Sequence, residues 1–109
     1  MKQLLATLGW TAPAHFAPSS ARAADAQVEA IRQAMLDVLG WPVPRGCEGL
    51  LLRIQHALDA ERLWYLRGDL MQALAYKHGE QPAAEQLARI SAMFQGVLPP
   101  SLASSQLRY

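Results

Sequence analysis

The sequence predicts an all-α protein, a small bundle of about four helices with a short helical segment before it. Apolar residues recur at every third or fourth position over long stretches, which is the spacing of one helix face. Gly and Pro cluster at the ends of these stretches, where they stop helices. Hydrophobic residues make up 51% of the chain and charged residues 17%, which is the composition of a globular domain.

Composition and charge restrict the classes of function. The chain has 109 residues, enough for one domain with its own core. Its formal net charge is +1 at pH 7, with interspersed signs, so no basic cluster predicts nucleic-acid binding. The single cysteine allows no internal disulfide, which favours a reducing, cytoplasmic location. No apolar run reaches bilayer-spanning length, and Gly9 and Pro13 interrupt the apolar start, so we expect no membrane span and no signal peptide.

The chain divides into three predicted parts. Residues 1–18 hold a short helix and a proline-containing linker, residues 19–100 form the helical bundle, and residues 101–109 form a flexible polar tail. A helix at residues 2–8 is too short to be stable in water, so it has to dock. The side chains that can dock it are Leu4, Leu5 and Leu8. Those that can dock the tail are Leu102, Leu107 and Tyr109.

The first long helix of the bundle has clear boundaries. Ser19 or Ser20 can cap its start through the side-chain oxygen. Gly40 suits the left-handed position that ends a helix, and Trp41 is expected to fold back over the last turn. The apolar stripe that faces the core consists of Val28, Ile31, Met35, Val38 and Leu39.

Residues 48–78 contain no proline but carry two apolar faces. The first face consists of Leu51, Ile54 and Leu58. The second consists of Leu63, Leu66, Leu70 and Leu74, about 145° away around a helix. We therefore expect a break near residues 59–62, with Asp59 as N-cap. The alternative is one long helix whose two ends face different partners. Gly68 is expected in a helix interior, where it costs about 1 kcal/mol relative to Ala.

The last helix is expected to follow a stop at Gly79, to begin near Pro82 and to end at residues 99–100, both prolines. Its core stripe consists of Ala83, Leu87, Ile90, Phe94 and Val97.

Four large residues in a row form the candidate interaction surface. They are Leu63, Trp64, Tyr65 and Leu66. Consecutive residues point to all sides of a helix, so one neighbouring face cannot cover all four. The segment is therefore either a central core helix or a surface that binds a partner or a second copy, since Trp and Tyr are frequent interface anchors.

Cys47 is the one candidate reactive thiol. It follows Arg45 at the expected start of a helix, a setting that makes thiols more nucleophilic. A lone cysteine is more often a small buried hydrophobe. The three histidines, His15, His56 and His78, lack metal-ligand spacing, and no phosphate-binding loop is present. We predict no catalytic residue, no metal and no cofactor.

The sequence thus favours a non-enzymatic protein–protein interaction module, an adaptor, regulator or assembly subunit that self-associates. A second hypothesis is a DNA-binding regulator with a helix-turn-helix motif, in which Arg62, Arg67 and Lys77 contact phosphates. The stretch that carries these three cations, residues 59–77, is mainly apolar and lacks a run of polar side chains that could read bases. Two further hypotheses are a thiol enzyme that uses Cys47 and a protein with a small-molecule pocket between its helices.

Overall fold

Five helices make up the part of the protein that the computed structural model describes, residues 18–99 and Leu102, with side chains from Arg22 onward. They are α1 (Pro18–Leu39), α2 (Glu48–His56), α3 (Ala60–Tyr65), α4 (Arg67–His78) and α5 (Glu80–Ala92). These residues contain no strand, and the predicted all-α bundle is confirmed. The predicted segment at residues 2–8 and residues 103–109 of the tail lie outside the described residues.

Helix α1 is the longest element and packs against all four others. Ile31, Met35 and Leu39 of the predicted stripe are fully buried. The helix begins at Pro18, so the two serines proposed as caps lie within its first turn, and that prediction is wrong. Proline suits the first helical position because its missing N–H has no partner there.

Gly40 ends α1 as predicted, with a left-handed φ of 81°. Its N–H donates to the Leu36 carbonyl, and the Lys77 ammonium donates to the Leu39 carbonyl at 3.3 Å. Two carbonyls of the last turn are therefore satisfied. Trp41 is 82% exposed, so the prediction that it folds back over α1 is wrong.

Arg32 connects α1 to the end of α2. Its Nη1 donates to the Ile54 carbonyl at 2.7 Å, while Nε and Nη2 donate to the Glu29 carboxylate at 3.0 Å. Carbonyls of the last helical turn lack partners within the helix, so the guanidinium supplies one. The hydrogen bonds and the charge of Arg32 lower the pKa of Glu29.

The predicted break between two helices is confirmed, and the hypothesis of one long helix is wrong. α2 ends at His56 and α3 begins at Ala60. Asp59 caps α3: its carboxylate accepts the Arg62 N–H at 2.9 Å and the Arg62 guanidinium at 2.7 Å. A second, unpredicted break lies at Leu66, so Gly68 lies in the first turn of α4 and its predicted interior position is wrong.

Replacement of Asp59 by Ala should lower the free energy of unfolding by about 1 kcal/mol, because the α3 N-terminus loses its cap. Urea unfolding followed by circular dichroism measures the loss. Asp59→Asn is the matched control: it keeps a capping oxygen and removes only an exposed ion pair, worth about 0.5 kcal/mol. Equal losses in the two variants would show that the ion pair, and not the cap, stabilises the helix.

Helices α4 and α5 form an antiparallel hairpin and share the largest interhelical contact. Gly79, with φ of 92°, joins them, and α5 begins at Glu80 with Pro82 in its first turn. Of the predicted stripe, Ala83, Ile90 and Phe94 are buried, and Leu87 and Val97 are partly buried. The helix ends at Ala92 and a run of turns follows, so the predicted end at residues 99–100 is wrong.

Candidate functional site

A groove open to solvent, with a volume of about 650 Å³, runs between α4 and α5. Its α5 wall includes Ala84, Ala88 and Ala92, which recur every four residues and so share one face. Gly68 and Met71 of α4 lie in the opposite wall. Half of the ten lining residues are Ala, Gly or Ser, so the two helices leave a trough between them. We call this trough the α4–α5 groove.

Trp64 and Arg67 form one end of the α4–α5 groove. Trp64 is only 5% exposed and packs edge-on against Phe94, with ring centroids 5.1 Å apart. The Arg67 guanidinium carbon lies 3.2 Å from the centroid of the Trp64 ring, a close cation–π contact. Arg67 also donates to Ser91 Oγ at 3.0 Å, which connects α4 to α5. This end of the groove is therefore fixed by packing and by polar contacts.

The predicted interaction segment, residues 63–66, is divided between core and surface. Leu63 is fully buried, Trp64 is buried and Leu66 is partly buried against the chain's own helices. Tyr65 is 64% exposed. Within one copy of the chain, Tyr65 is therefore the large side chain of this segment that faces solvent, while Trp64 contributes to the groove.

Cys47 lies at the N-cap position of α2 and is partly buried. It lines a small cavity of about 300 Å³ together with Arg45, Leu50, Asp69 and Tyr76. No histidine of the described residues lines this cavity. His56 lies at the other end of α2, about 13 Å away at 1.5 Å per residue. The described part of the chain therefore brings no imidazole to the thiol.

The three cations of the DNA-binding hypothesis all contact the protein itself. Arg62 pairs with Asp59, Arg67 lies over Trp64, and Lys77 donates to a carbonyl of α1. Each of these contacts holds a helix end or a helix pair in place. The positions of the three cations are thus explained by the fold.

The described residues hold no group of three His, Cys, Asp or Glu side chains that could bind a metal ion. None of the helices in that part of the chain has the length and apolar character needed to cross a membrane. No protein-family model, curated protein or solved structure matches the chain. The α4–α5 groove is therefore the feature from which function is inferred.

The sequence interpretation missed this groove, although a signal was present. Ala84, Ala88 and Ala92 are small residues at a spacing of four, on a helix whose apolar stripe lies on another face. Such spacing marks a face that a second helix can approach closely. The spacing alone does not show which residues of α4 form the opposite wall, because that depends on how α4 packs against α5.

Proposed function

We propose that this protein is a non-enzymatic interaction module of the cytoplasm that self-associates, and that the α4–α5 groove receives a helix from a second copy. The observation that carries the proposal is the groove itself, an apolar trough between two helices that the described residues leave open. Apolar concave surfaces of this kind mark binding sites in soluble proteins. The role would be that of an adaptor, a regulator or a subunit of an assembly.

The dimensions of the groove suit a short helix. From Ala84 to Ala92 the α5 wall is about 12 Å long, at 1.5 Å per residue, which corresponds to about two helical turns. Small side chains along that wall let a helix axis come within the usual 8–10 Å of α5. An amphipathic helix that binds in such a groove inserts side chains at positions i, i+3 or i+4, and i+7.

Trp64 and Tyr65 suit this role for different reasons. Trp64 is 5% exposed and is held by Phe94 and Arg67, so it forms a rigid end of the groove that does not have to rearrange when a partner helix binds. Tyr65, the next residue, is 64% exposed, so its ring is accessible to a partner. Exposed tyrosines such as Tyr65 provide much of the binding energy at many protein interfaces.

Light scattering on the eluate of a size-exclusion column tests the proposal. The wild-type protein should approach twice the monomer mass as its concentration rises through the high micromolar range. Ala88→Arg places a long charged side chain in the groove and should leave a monomer, with affinity reduced by about a hundredfold or more. Ala30→Arg makes the same change at an exposed position of α1 and should dimerise like the wild type.

Circular dichroism and thermal unfolding should show that both variants keep the fold, because Ala88 and Ala30 are exposed. A wild-type protein that remains monomeric at high micromolar concentration would refute self-association. Dimerisation that Ala88→Arg leaves unchanged would refute the role of the groove.

A further inference from the structure

We propose that the helix received by the α4–α5 groove is α5 of the second copy, and that the two α5 helices pack antiparallel around a twofold axis beside Ala88. The inference rests on the proposed function and names the partner helix and its direction.

The α5 wall of the groove is suited to close contact with a helix like itself. Ala84, Ala88 and Ala92 are all exposed and form one row along α5. Two helices reach the short end of the usual spacing, about 8 Å between axes, when the side chains at their contact are small. The exposed faces of α2, α3 and α4 carry large side chains instead. These are Leu52, Tyr65 and Tyr76.

The groove is almost free of charge, while α5 carries charges beside it. Of the ten described residues that line the groove, Arg67 at its end is the single charged one. Charged residues are depleted from the centres of protein interfaces, so this composition favours a protein partner. Glu85 and Arg89 are exposed and lie one helical turn apart, on the flank of α5 next to the alanine row.

These two charges favour the antiparallel direction. A twofold axis perpendicular to two antiparallel helices brings the same flank of each helix to the same side of the interface. Glu85 of one copy then faces Arg89 of the other, and the symmetry forms this pair twice. Parallel helices would place Glu85 beside the opposite flank of α5, which carries no basic residue. Charge pairs of this kind fix the register and direction of an interface.

The small residues and the charges agree on the position of the axis. With the axis beside Ala88, Ala84 of one copy faces Ala92 of the other, and Ala88 faces its own counterpart. Glu85 then lies only about 3 Å along the helix from Arg89 of the second copy, at 1.5 Å per residue. Arg89 forms no ion pair within the part of the chain that the structure describes, and Glu85 accepts from Gln81 at 3.1 Å. The proposed dimer supplies a cationic partner for Glu85.

Disulfide traps test the direction of the helices. All chains carry Cys47→Ser, so the introduced cysteines are the only ones. Axes about 8–10 Å apart leave facing Cα atoms about 4–5 Å apart, which a disulfide can bridge. Mild oxidation should therefore link Ala88→Cys to itself, and Ala84→Cys to Ala92→Cys in a second chain of different mass. Ala84→Cys should not link to itself, because the two copies of residue 84 lie about 12 Å apart along the helices.

The opposite pattern would refute the antiparallel dimer: parallel helices would link Ala84→Cys to itself and would not link it to Ala92→Cys. Ala30→Cys, at an exposed position of α1, is the matched control. Together with Ala92→Cys in a second chain it should give about tenfold less product on a non-reducing gel than Ala84→Cys does. Equal yields would show that contact with α5 is not specific.

Charge reversal tests the pair between Glu85 and Arg89. Glu85→Arg and Arg89→Glu each place like charges opposite one another, so each should weaken dimerisation by about tenfold. The double variant restores opposite charges and should dimerise within about threefold of the wild type. Light scattering over a range of concentrations measures all four proteins. A double variant as weak as the single ones would overturn the pairing.

These outcomes separate the inference from the proposed function. If Ala88→Arg abolishes the dimer but the Ala84 and Ala92 trap does not form, the groove receives another helix, so the pairing of α5 with α5 is refuted and the interaction function stands. If the wild-type protein does not dimerise, the proposed function itself has failed.

Discussion

Trp64→Ala should lower the free energy of unfolding by about 4 kcal/mol, the largest loss we expect from a single substitution. Trp64 is 5% exposed, its ring packs edge-on against Phe94, and the Arg67 guanidinium lies on its face. Truncation to Ala removes the packing of a large ring, the aromatic pair and the cation–π contact together. Urea unfolding followed by circular dichroism measures the loss without relying on tryptophan fluorescence.

Two control substitutions identify the source of this loss. Trp64→Phe keeps a ring against Phe94 and Arg67, so it should lose less than half as much. Trp41→Ala removes an indole that is 82% exposed and should change stability by no more than about 0.5 kcal/mol. If Trp41→Ala and Trp64→Ala lost the same amount, Trp64 would not be a core residue.

The features predicted correctly from the sequence depend on local chemistry. Gly40 ends α1 because a left-handed backbone conformation favours glycine, and this preference does not depend on distant residues. Asp59 begins α3 because its carboxylate satisfies an N–H three residues later. The change of apolar phase across residues 58–63 then required a break, and the two signals agreed.

The features that were missed depend on tertiary packing. Leu66, with φ of −83° and ψ of −4°, separates α3 from α4. Leucine is a good helix former, and neither neighbour of Leu66 is Gly or Pro, so no residue type marks this break. α5 ends at Ala92, although its apolar pattern continues to Val97. The pattern continues because Phe94, which lies in a turn after the helix, is also buried. A helical pattern records which residues are buried, and a turn can bury the same residues.

The candidate site was found only in part for the same reason. The run at residues 63–66 correctly drew attention to Trp64, because no single face can cover four consecutive large side chains. Within a single copy these four residues do not form one continuous surface, because Leu63 is buried and Tyr65 is exposed. The groove beside Trp64 arises from Gly68 and Ala88, small residues that contribute no hydrophobic signal.

Core and groove are connected through one cluster of contacts. Arg67 lies on Trp64 and donates to Ser91, and all three residues line the α4–α5 groove. The same contacts hold α4 against the end of α5. A helix bound in the groove would therefore also stabilise the hairpin, because binding to the folded state alone raises the free energy of unfolding.

Gly40→Ala should lower the free energy of unfolding by about 2 kcal/mol, through two additive causes. A φ of 81° costs a residue with a Cβ about 1–2 kcal/mol relative to glycine. The new Cβ would also lie 2.6 Å from the Lys77 ammonium nitrogen, which has to move away. That movement weakens the hydrogen bond from Lys77 to the Leu39 carbonyl, worth about 1 kcal/mol.

A double-mutant cycle separates the two causes by urea unfolding. In a Lys77→Ala background the steric conflict is absent, so Gly40→Ala should cost only its backbone contribution of about 1–2 kcal/mol. Gly46→Ala is an independent reference for that contribution, because Gly46 has φ of 86° and a Cβ added there would meet no atom within 4 Å. If Gly40→Ala costs the same with and without Lys77, the ammonium does not restrict Gly40, and backbone conformation alone explains why glycine ends α1.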